Sequence, residues 1–356
     1  MNVMTTAGHF QVSGEVSDIK PFGTGIINDT YRVDTREGNA YLLQRVNTEV
    51  FKKPEEVQHN IERVTAYLKE QIIRENGDPM RETLTLIPAA GGETWYRDEQ
   101  DRFWRMYAFI DHTSACGQPA SLNELYETGL AFGRFERRLS GFPVDSLHET
   151  IPAFHDTVDR VTQFMLAMDR DACGRKKTVV LELVTLMQCM DRADLFEKEF
   201  EAGRLPRRVV HNDTKTSNAL LDTASGRAIC VCDLDTVMPG FVAYDFGDGI
   251  RSGASEAAED EPDLSKVALS LEKAAAFAQG YLEEAGSILT ENERKLLPDG
   301  IYVITLEQAM RFMTDYLNGD VYYKTAYPEH NLVRARNQIA LLQEIQDREA
   351  DLRLII

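Results

Sequence analysis

His211-Asn-Asp-Thr-Lys-Thr-Ser-Asn218, followed by Val231-Cys-Asp-Leu-Asp235, is the stretch on which the reading of this 356-residue chain turns. Asp213, Lys215 and Asn218 form a D-x-K-x-x-N run, and Asp233 follows Asp213 by twenty residues, at the end of a short apolar strand. Transfer of a phosphoryl group from ATP needs a carboxylate facing the acceptor hydroxyl, oxygen ligands for Mg²⁺ on the phosphates, and a cation near the γ-phosphate. Asp213 is the candidate carboxylate and Lys215 the candidate cation. Asn218 offers a carbonyl oxygen and Asp233 a carboxylate, hard donors that suit Mg²⁺ rather than zinc. Asp and Asn also close turns, and a hairpin explains many polar residues. It does not explain four such positions at this spacing with an apolar strand between them.

Outward from this stretch, the chain divides in two. The first 110 residues read as β-rich, with strands expected in the run to Val33, at Ala40–Val46, Leu84–Pro88, Glu93–Asp98 and Phe103–Ile110, set apart by turns at Asp34–Asn39 and Gly91-Gly92. One helix interrupts them: Val57, Ile61, Val64, Leu68 and Ile72 recur every three or four residues, and Pro54 stands at its start, where a missing N–H costs little. Asp111–Pro119 is polar and small, a lobe boundary separating residues 1–110 from 111–356. Beyond it helical periodicity covers about 122–139, 155–168, 178–201, 264–284, 290–317 and 331–350, with one β insertion from Arg208 to Asp235. The fold class expected is therefore α+β, with two lobes.

Composition narrows the function classes. Hydrophobic residues make up 43% and charged residues 27%, the balance of a folded globule. A net charge of −19 repels nucleic-acid phosphates and anionic lipids, so no nucleic-acid or membrane partner is expected. No apolar run reaches the ~18 residues of a membrane span, and the first ten residues lack the pattern of a secretion signal, so a cytoplasmic location is the expectation. The five cysteines are scattered and odd in number. Cys230 and Cys232 share a strand face without a second ligand pair, so no zinc site is expected.

The order D-x-K-x-x-N and then a strand-end Asp resembles the catalytic and metal-binding loops of the protein-kinase-like fold. The opening His-Asn-Asp, where relatives have His-Gly-Asp, points to the aminoglycoside phosphotransferase and choline kinase branch. Gly25-Ile-Ile-Asn-Asp-Thr-Tyr-Arg-Val33, Leu43-Gln-Arg-Val-Asn47, Asp233-Leu-Asp-Thr-Val-Met-Pro-Gly240, Tyr244-Asp-Phe-Gly-Asp248 and the segment Met310–Tyr323 together resemble the N-acetylhexosamine 1-kinase group of that family. The likeness implies phosphorylation of the anomeric hydroxyl of GlcNAc or GalNAc by ATP with Mg²⁺, Asp213 being the base and Asn218 and Asp233 the metal ligands. Asp235 lies on the same side as Asp233, either behind the metal or on the sugar.

On the nucleotide side, Gly23, Thr24 and Gly25 form a candidate lid over the phosphates. Where kinases carry a strand lysine this chain reads Leu43-Gln-Arg-Val46, so Arg45 is expected to supply the charge and Glu62 to pair with it; a forked guanidinium changes the phosphate geometry. Tyr107, Phe109 and Ile110 form the expected adenine hinge. On the sugar side, Arg311 flanks a helix that is apolar on both faces, one turn from Glu307. The two form either a partly buried ion pair or a guanidinium reaching the sugar, with Tyr322 and Thr236 as companions. Asp245 is expected to brace the catalytic loop and His211 to anchor it; His59, His112, His148, His155 and His330 read as isolated. The rival readings are a kinase of the same family acting on an amino-alcohol such as choline, homoserine or an aminoglycoside, which suits the acidity, and a catalytically silent binding module. Oligomeric state is not legible.

Overall fold

A computed structural model describes residues 3–23, 27–116 and 120–356. Thr24 and Gly25 of the expected lid lie outside the described residues. In chain order the elements are α1 (Val3–Ala7), β1 (Val16–Pro21), β2 (Asp29–Thr35), β3 (Ala40–Arg45), α2 (Pro54–Arg74), α3 (Pro79–Glu82), β4 (Trp95–Arg97), β5 (Phe103–Ala108) and β6 (Thr113–Ala115). There follow α4 (Leu122–Leu139), α5 (Thr157–Arg170), α6 (Val180–Gln188), α7 (Leu195–Glu201), β7 (Arg208–Val210), β8 (Ala219–Asp222), β9 (Ala228–Val231) and β10 (Met238–Gly240). Four long helices and a short one close the chain: α8 (Val242–Gly253), α9 (Leu271–Ala285), α10 (Glu291–Asn318), α11 (His330–Asp347) and α12 (Glu349–Ile355). Among the described residues no helix is long and apolar enough to cross a membrane.

An antiparallel sheet in the order β1-β2-β3-β5-β4 forms the N-terminal part. Because side chains alternate across a strand, its two faces carry separate apolar sets. Tyr41, Leu43, Trp104 and Met106 gather with Ala7 and Phe10 on the outer face, while Leu42, Val46, Phe103 and Tyr107 join the main core. The buried stripe Val57, Ile61, Val64, Leu68 and Ile72 of α2 belongs to that core, as the helical spacing required. The segment expected as a strand at Leu84–Pro88 makes only a single bridge, Leu86 to Tyr107, with Ile87 donating to the Met106 carbonyl at 2.8 Å; Pro88 has no N–H with which to extend the ladder. The stretch read as one helix at 178–201 is two, α6 and α7, separated by a short turn at Met190–Arg192.

The helix α8 is not among the expected helices: Asp245, Asp248 and Arg251 recur every three positions on it, but nearly every residue from Val242 to Arg251 is buried, so that polar face is turned inward. Its seat is a close backbone crossing with α10. A Cβ on Gly247 would lie 2.4 Å from the Gly300 carbonyl oxygen, and one on Gly300 would lie 2.0 Å from the Ala243 carbonyl oxygen. In an exposed helix Gly to Ala is favourable by ~1 kcal/mol. Here the steric term wins, since overpacking a filled site costs about 1–3 kcal/mol. Gly300→Ala is therefore expected to lower the urea midpoint despite its better helix propensity, read by circular dichroism; an unchanged or higher midpoint would show that the crossing is slack.

Candidate active site

The loop after β7 is fixed before any catalytic side chain is considered. Asp245 of α8, buried to 1% exposure, accepts hydrogen bonds from the backbone N–H of His211 at 2.6 Å and of Asn212 at 2.7 Å. Its own carbonyl accepts from the Thr214 hydroxyl at 2.5 Å. His211 is fully buried: Nε2 donates to the Cys232 carbonyl at 2.9 Å and Nδ1 accepts from the Asp213 N–H at 3.2 Å, the pattern of a neutral imidazole. Thr236, expected near the acceptor, instead clamps the loop, its hydroxyl donating to the His211 carbonyl at 2.7 Å.

On this frame the four constellation residues converge. Lys215 Nζ lies 2.7 Å from Asp213 Oδ1, and Asn218 Nδ2 donates to the Asp213 carbonyl at 2.9 Å and to Oδ2 at 3.2 Å. The Cys232 N–H donates to the Asn218 carbonyl at 2.9 Å, which sets Asp233 one residue further along. Asp233 adopts a left-handed backbone, φ +59°, that turns the chain as it leaves β9. Burial works against the charge on Asp213, but the Lys215 ammonium outweighs it and holds the carboxyl below the usual range. Asp233 goes the other way: although its side chain keeps contact with solvent, the protein crowded around it, then the like charges of Asp235 and Asp213, push it up to about 6. A carboxylate and an amide oxygen in a pocket of excess negative charge are the donors a divalent oxygen-seeking cation would bind, with phosphate oxygens completing its shell. The donor set therefore fits Mg²⁺ on a nucleotide, which Asn218 and Asp233 would hold.

The cation expected at Arg45 is elsewhere. On β3, Arg45 follows the parity of Tyr41 and Leu43 and so lies on the outer face, where it pairs with Asp29. Glu62 does not pair with it; its carboxylate accepts from the Thr94 hydroxyl. The cleft-facing neighbour on β3 is Gln44, whose cross-strand partner is Arg105. Arg105 Nε donates to Gln44 Oε1 at 3.0 Å, and its Nη1 stands 2.5 Å from Asp235 Oδ1, both side chains almost wholly buried. That contact is a close charge pair without hydrogen-bond alignment, since both atoms lack an aligned partner. Asn28 completes the grip on Asp235, donating to Oδ2 at 2.6 Å. A lone arginine in the apolar run Phe103-Trp-Arg-Met-Tyr-Ala108 was the available signal.

At the expected hinge, Tyr107 is buried and the Phe109 N–H is engaged with the Ala40 carbonyl at 3.0 Å. The Ile110 carbonyl accepts from the Thr113 hydroxyl at 2.8 Å, and Arg32 lies over the Phe109 ring at 4.3 Å. Gly23 sits at φ +74° with open space around its Cα.

Arg311 and Tyr322 share the wall of a cleft of about 300 Å³, with Arg160, Gln163, Thr314 and Asn318 among its polar lining. Arg311 lies 3.8 Å from Glu307, donates to Gln308 Oε1 at 3.2 Å, and stacks over the rings of Phe154 and Tyr323. A second cleft, about 220 Å³, reaches Asn212 and carries Glu149, Asp156 and Glu197. Ile151 lines both.

A five-stranded antiparallel sheet with a larger, mostly helical part defines the protein-kinase-like fold. The phosphotransferase enzyme family (APH) matches residues 18–286, and the chain belongs to it. An aminoglycoside phosphotransferase from Alicyclobacillus acidocaldarius subsp. acidocaldarius DSM 446 superposes with a TM-score of 0.63 at 14% identity, covering 98% of this chain and 94% of that one. A microcompartment-associated aminopropanol kinase gives 0.60 at 16%, covering 99% and 98%. Amicoumacin kinase, in complex with AMP-PNP, Ca²⁺ and Ami, gives 0.62 at 13%, covering 97% and 92%.

The elevated Asp233 carboxyl has a sign that can be read without ligands. Its folded pKa, about 6, exceeds the unfolded value near 3.8, so ionised Asp233 costs stability above pH 6 and that cost vanishes as pH falls toward 4. Asp233→Asn escapes it. In EDTA the variant is expected to melt on the order of 1–3 °C higher than the parent at pH 8, with the gain shrinking at pH 5. Equal melting temperatures at pH 8 would contradict the assigned repulsion.

Proposed function

We propose that the protein phosphorylates the anomeric hydroxyl of N-acetylhexosamines of the GlcNAc and GalNAc type, using ATP with Mg²⁺ and releasing the sugar 1-phosphate. The observation that carries this reading is the chemistry of the cleft beside Arg311 and Tyr322. Its charged groups are two guanidinium ions, those of Arg160 and Arg311, and one carboxylate, Asp315. That carboxylate is already engaged by the backbone N–H groups of Val321, Tyr322 and Tyr323 and by Asn331. Such a wall favours an uncharged acceptor rich in oxygen atoms over an ammonium group. The Arg160 Nε and Thr314 Oγ1 atoms are buried without a partner, groups a ligand would satisfy.

In this scheme Asp213 orients the acceptor hydroxyl and takes its proton as the oxygen bonds to the γ-phosphorus and ADP departs. An anomeric hydroxyl is more acidic than an ordinary alcohol, so a carboxylate of low basicity suffices. Bound nucleotide and Mg²⁺ supply the phosphoryl group and neutralise its developing charge, with Asn218 and Asp233 as metal ligands. Lys215 and the buried Arg105 are the cations on the donor side, Arg105 taking the part first expected of Arg45.

A second reading rests on the acidic cleft. There Glu197 is pushed up to about 7, chiefly by burial, and one of its oxygen atoms is buried without a partner, features that suit an amino-alcohol. Product analysis by ³¹P and ¹H NMR on a mixed pool of hexosamines, aminopropanol and an aminoglycoside separates the two. A sugar 1-phosphate is expected, with Arg311→Ala raising the acceptor KM about 10–100-fold and leaving that of ATP unchanged. An O-phosphoamine product, with the KM effect at Glu197→Gln instead, would transfer the assignment to the second reading. Asp213→Asn is expected to lower kcat by ~10²–10⁴-fold while nucleotide affinity, measured by calorimetry, stays nearly intact; a variant with most of its turnover would remove Asp213 from the role of base.

A further inference from the structure

His155, two residues ahead of α5, reads as isolated in the sequence and is not. Its side chain is 9% exposed and lines the second, acidic cleft. Nδ1 lies 3.0 Å from Glu307 Oε1 on α10, and Nε2 lies 3.0 Å from the main-chain carbonyl oxygen of Asn212, the residue before Asp213. A neutral imidazole donates from one nitrogen only. With an acceptor oxygen at each nitrogen, Glu307 being ionised, only the doubly protonated ring satisfies both contacts.

The surroundings agree. From α10 come Glu307 and Arg311, from α8 Tyr244 and Asp245, from α5 Arg160; Glu197 of α7 is reached through the Tyr244 hydroxyl, and Asp156 adjoins in sequence. Burial alone would disfavour the imidazolium, but the charge of Glu307 outweighs it and raises the histidine above 6.5. Glu307, fully buried, is held below its usual range despite burial by His155 and then Arg311, so it is the ionised partner. Thr157 donates to its other oxygen at 3.3 Å.

The consequence lies at Asn212. Its backbone is left-handed, φ +64°. Its N–H is held by Asp245, its side-chain amide donates to the Thr236 carbonyl at 2.9 Å, and its carbonyl is the group His155 holds. We propose that His155 is a positioning residue, an imidazolium that ties the acceptor-wall pair Glu307 and Arg311 to the backbone carrying Asp213, so that base and acceptor keep one register. The catalytic half of this rests on Asp213 being the base of a phosphotransferase; the ion pair itself does not.

The test reads the two halves apart. With ¹⁵N-labelled histidine, one of the seven imidazoles is expected to be doubly protonated at pH 6.5 and to lose one of its two ring protons only above that. That signal should vanish in His155→Gln and titrate at lower pH in Glu307→Gln. Absence of a ring that stays doubly protonated above pH 6.5 would overturn the proposal, whether or not either variant folds. In kinetics, kcat of the parent is expected to fall on the alkaline side as His155 loses its proton. Glu307→Gln should move that limb to lower pH, and His155→Gln should remove it at a kcat about 10–100-fold lower, with the KM for ATP unchanged. A His155→Gln enzyme with the parent's kcat and pH profile would likewise overturn it. If no acceptor is phosphorylated, the function reading falls, and the nitrogen shifts still decide the ion pair.

Discussion

The two hydrogen bonds from successive backbone amides to the Asp245 carboxylate are the constraint on which the site depends. A left-handed conformation at a residue with a side chain costs roughly 1–2 kcal/mol, and Asn212 adopts it only because its neighbours leave no alternative. The carboxylate can hold both amides because α8 is seated against α10 at Gly247 and Gly300 with no side chain between the backbones. The position of Asp213 is thus set by packing some way off: a helix crossing places a buried carboxylate, the carboxylate places a loop, and the loop presents the base. Burial raises the Asp245 pKa, while the two amides pull against that rise, which marks how closely the group is engaged.

Charge is arranged in the same layered way. Asp213, Asp233 and Asp235 crowd one region, and each has a different counterbalance. Asp213 has Lys215; Asp235 has Arg105 and Asn28; Asp233 is left with the repulsion. That imbalance is what a divalent cation would relieve. The buried Arg105–Asp235 pair also joins the N-terminal sheet to the loop beyond β9, alongside Asn60, which donates to the carbonyl oxygens of His148 and Val237. Buried pairs of this kind are a poor source of net stability but costly to break by removing one partner, about 3–5 kcal/mol. Their value here is registration: they set where the sheet stands over the base.

Much of this was legible before the structure. The stripe of α2, the span of α4 at Leu122–Leu139, the hairpin of β8 and β9, and the convergence of Asp213, Lys215 and Asn218 all follow from short-range spacing. The errors share a cause. The resemblance to the kinase strand lysine points to Arg45, and because β3 is apolar on both faces, alternation offers no parity by which to tell inside from outside. α8 carries its polar face, Asp245, Asp248 and Arg251, inward against buried partners, which spacing alone does not tell from a polar loop. Thr236 was read as reaching the acceptor because a hydroxyl in a loop carries no sign of what its donor will find.

The sequence by itself determined the repeating elements and the identity of the chemistry, because both are written in spacings of a few residues that local backbone geometry translates directly. Only the tertiary structure decided which cation faces the cleft and which histidine stands between two oxygen atoms of distant elements. Arg105 meets Asp235 across 130 residues, and His155 meets Glu307 across 152. Whether a side chain is a solvated charge or half of a buried pair depends on partners that separate elements bring within 3 Å, and no local pattern records that distance.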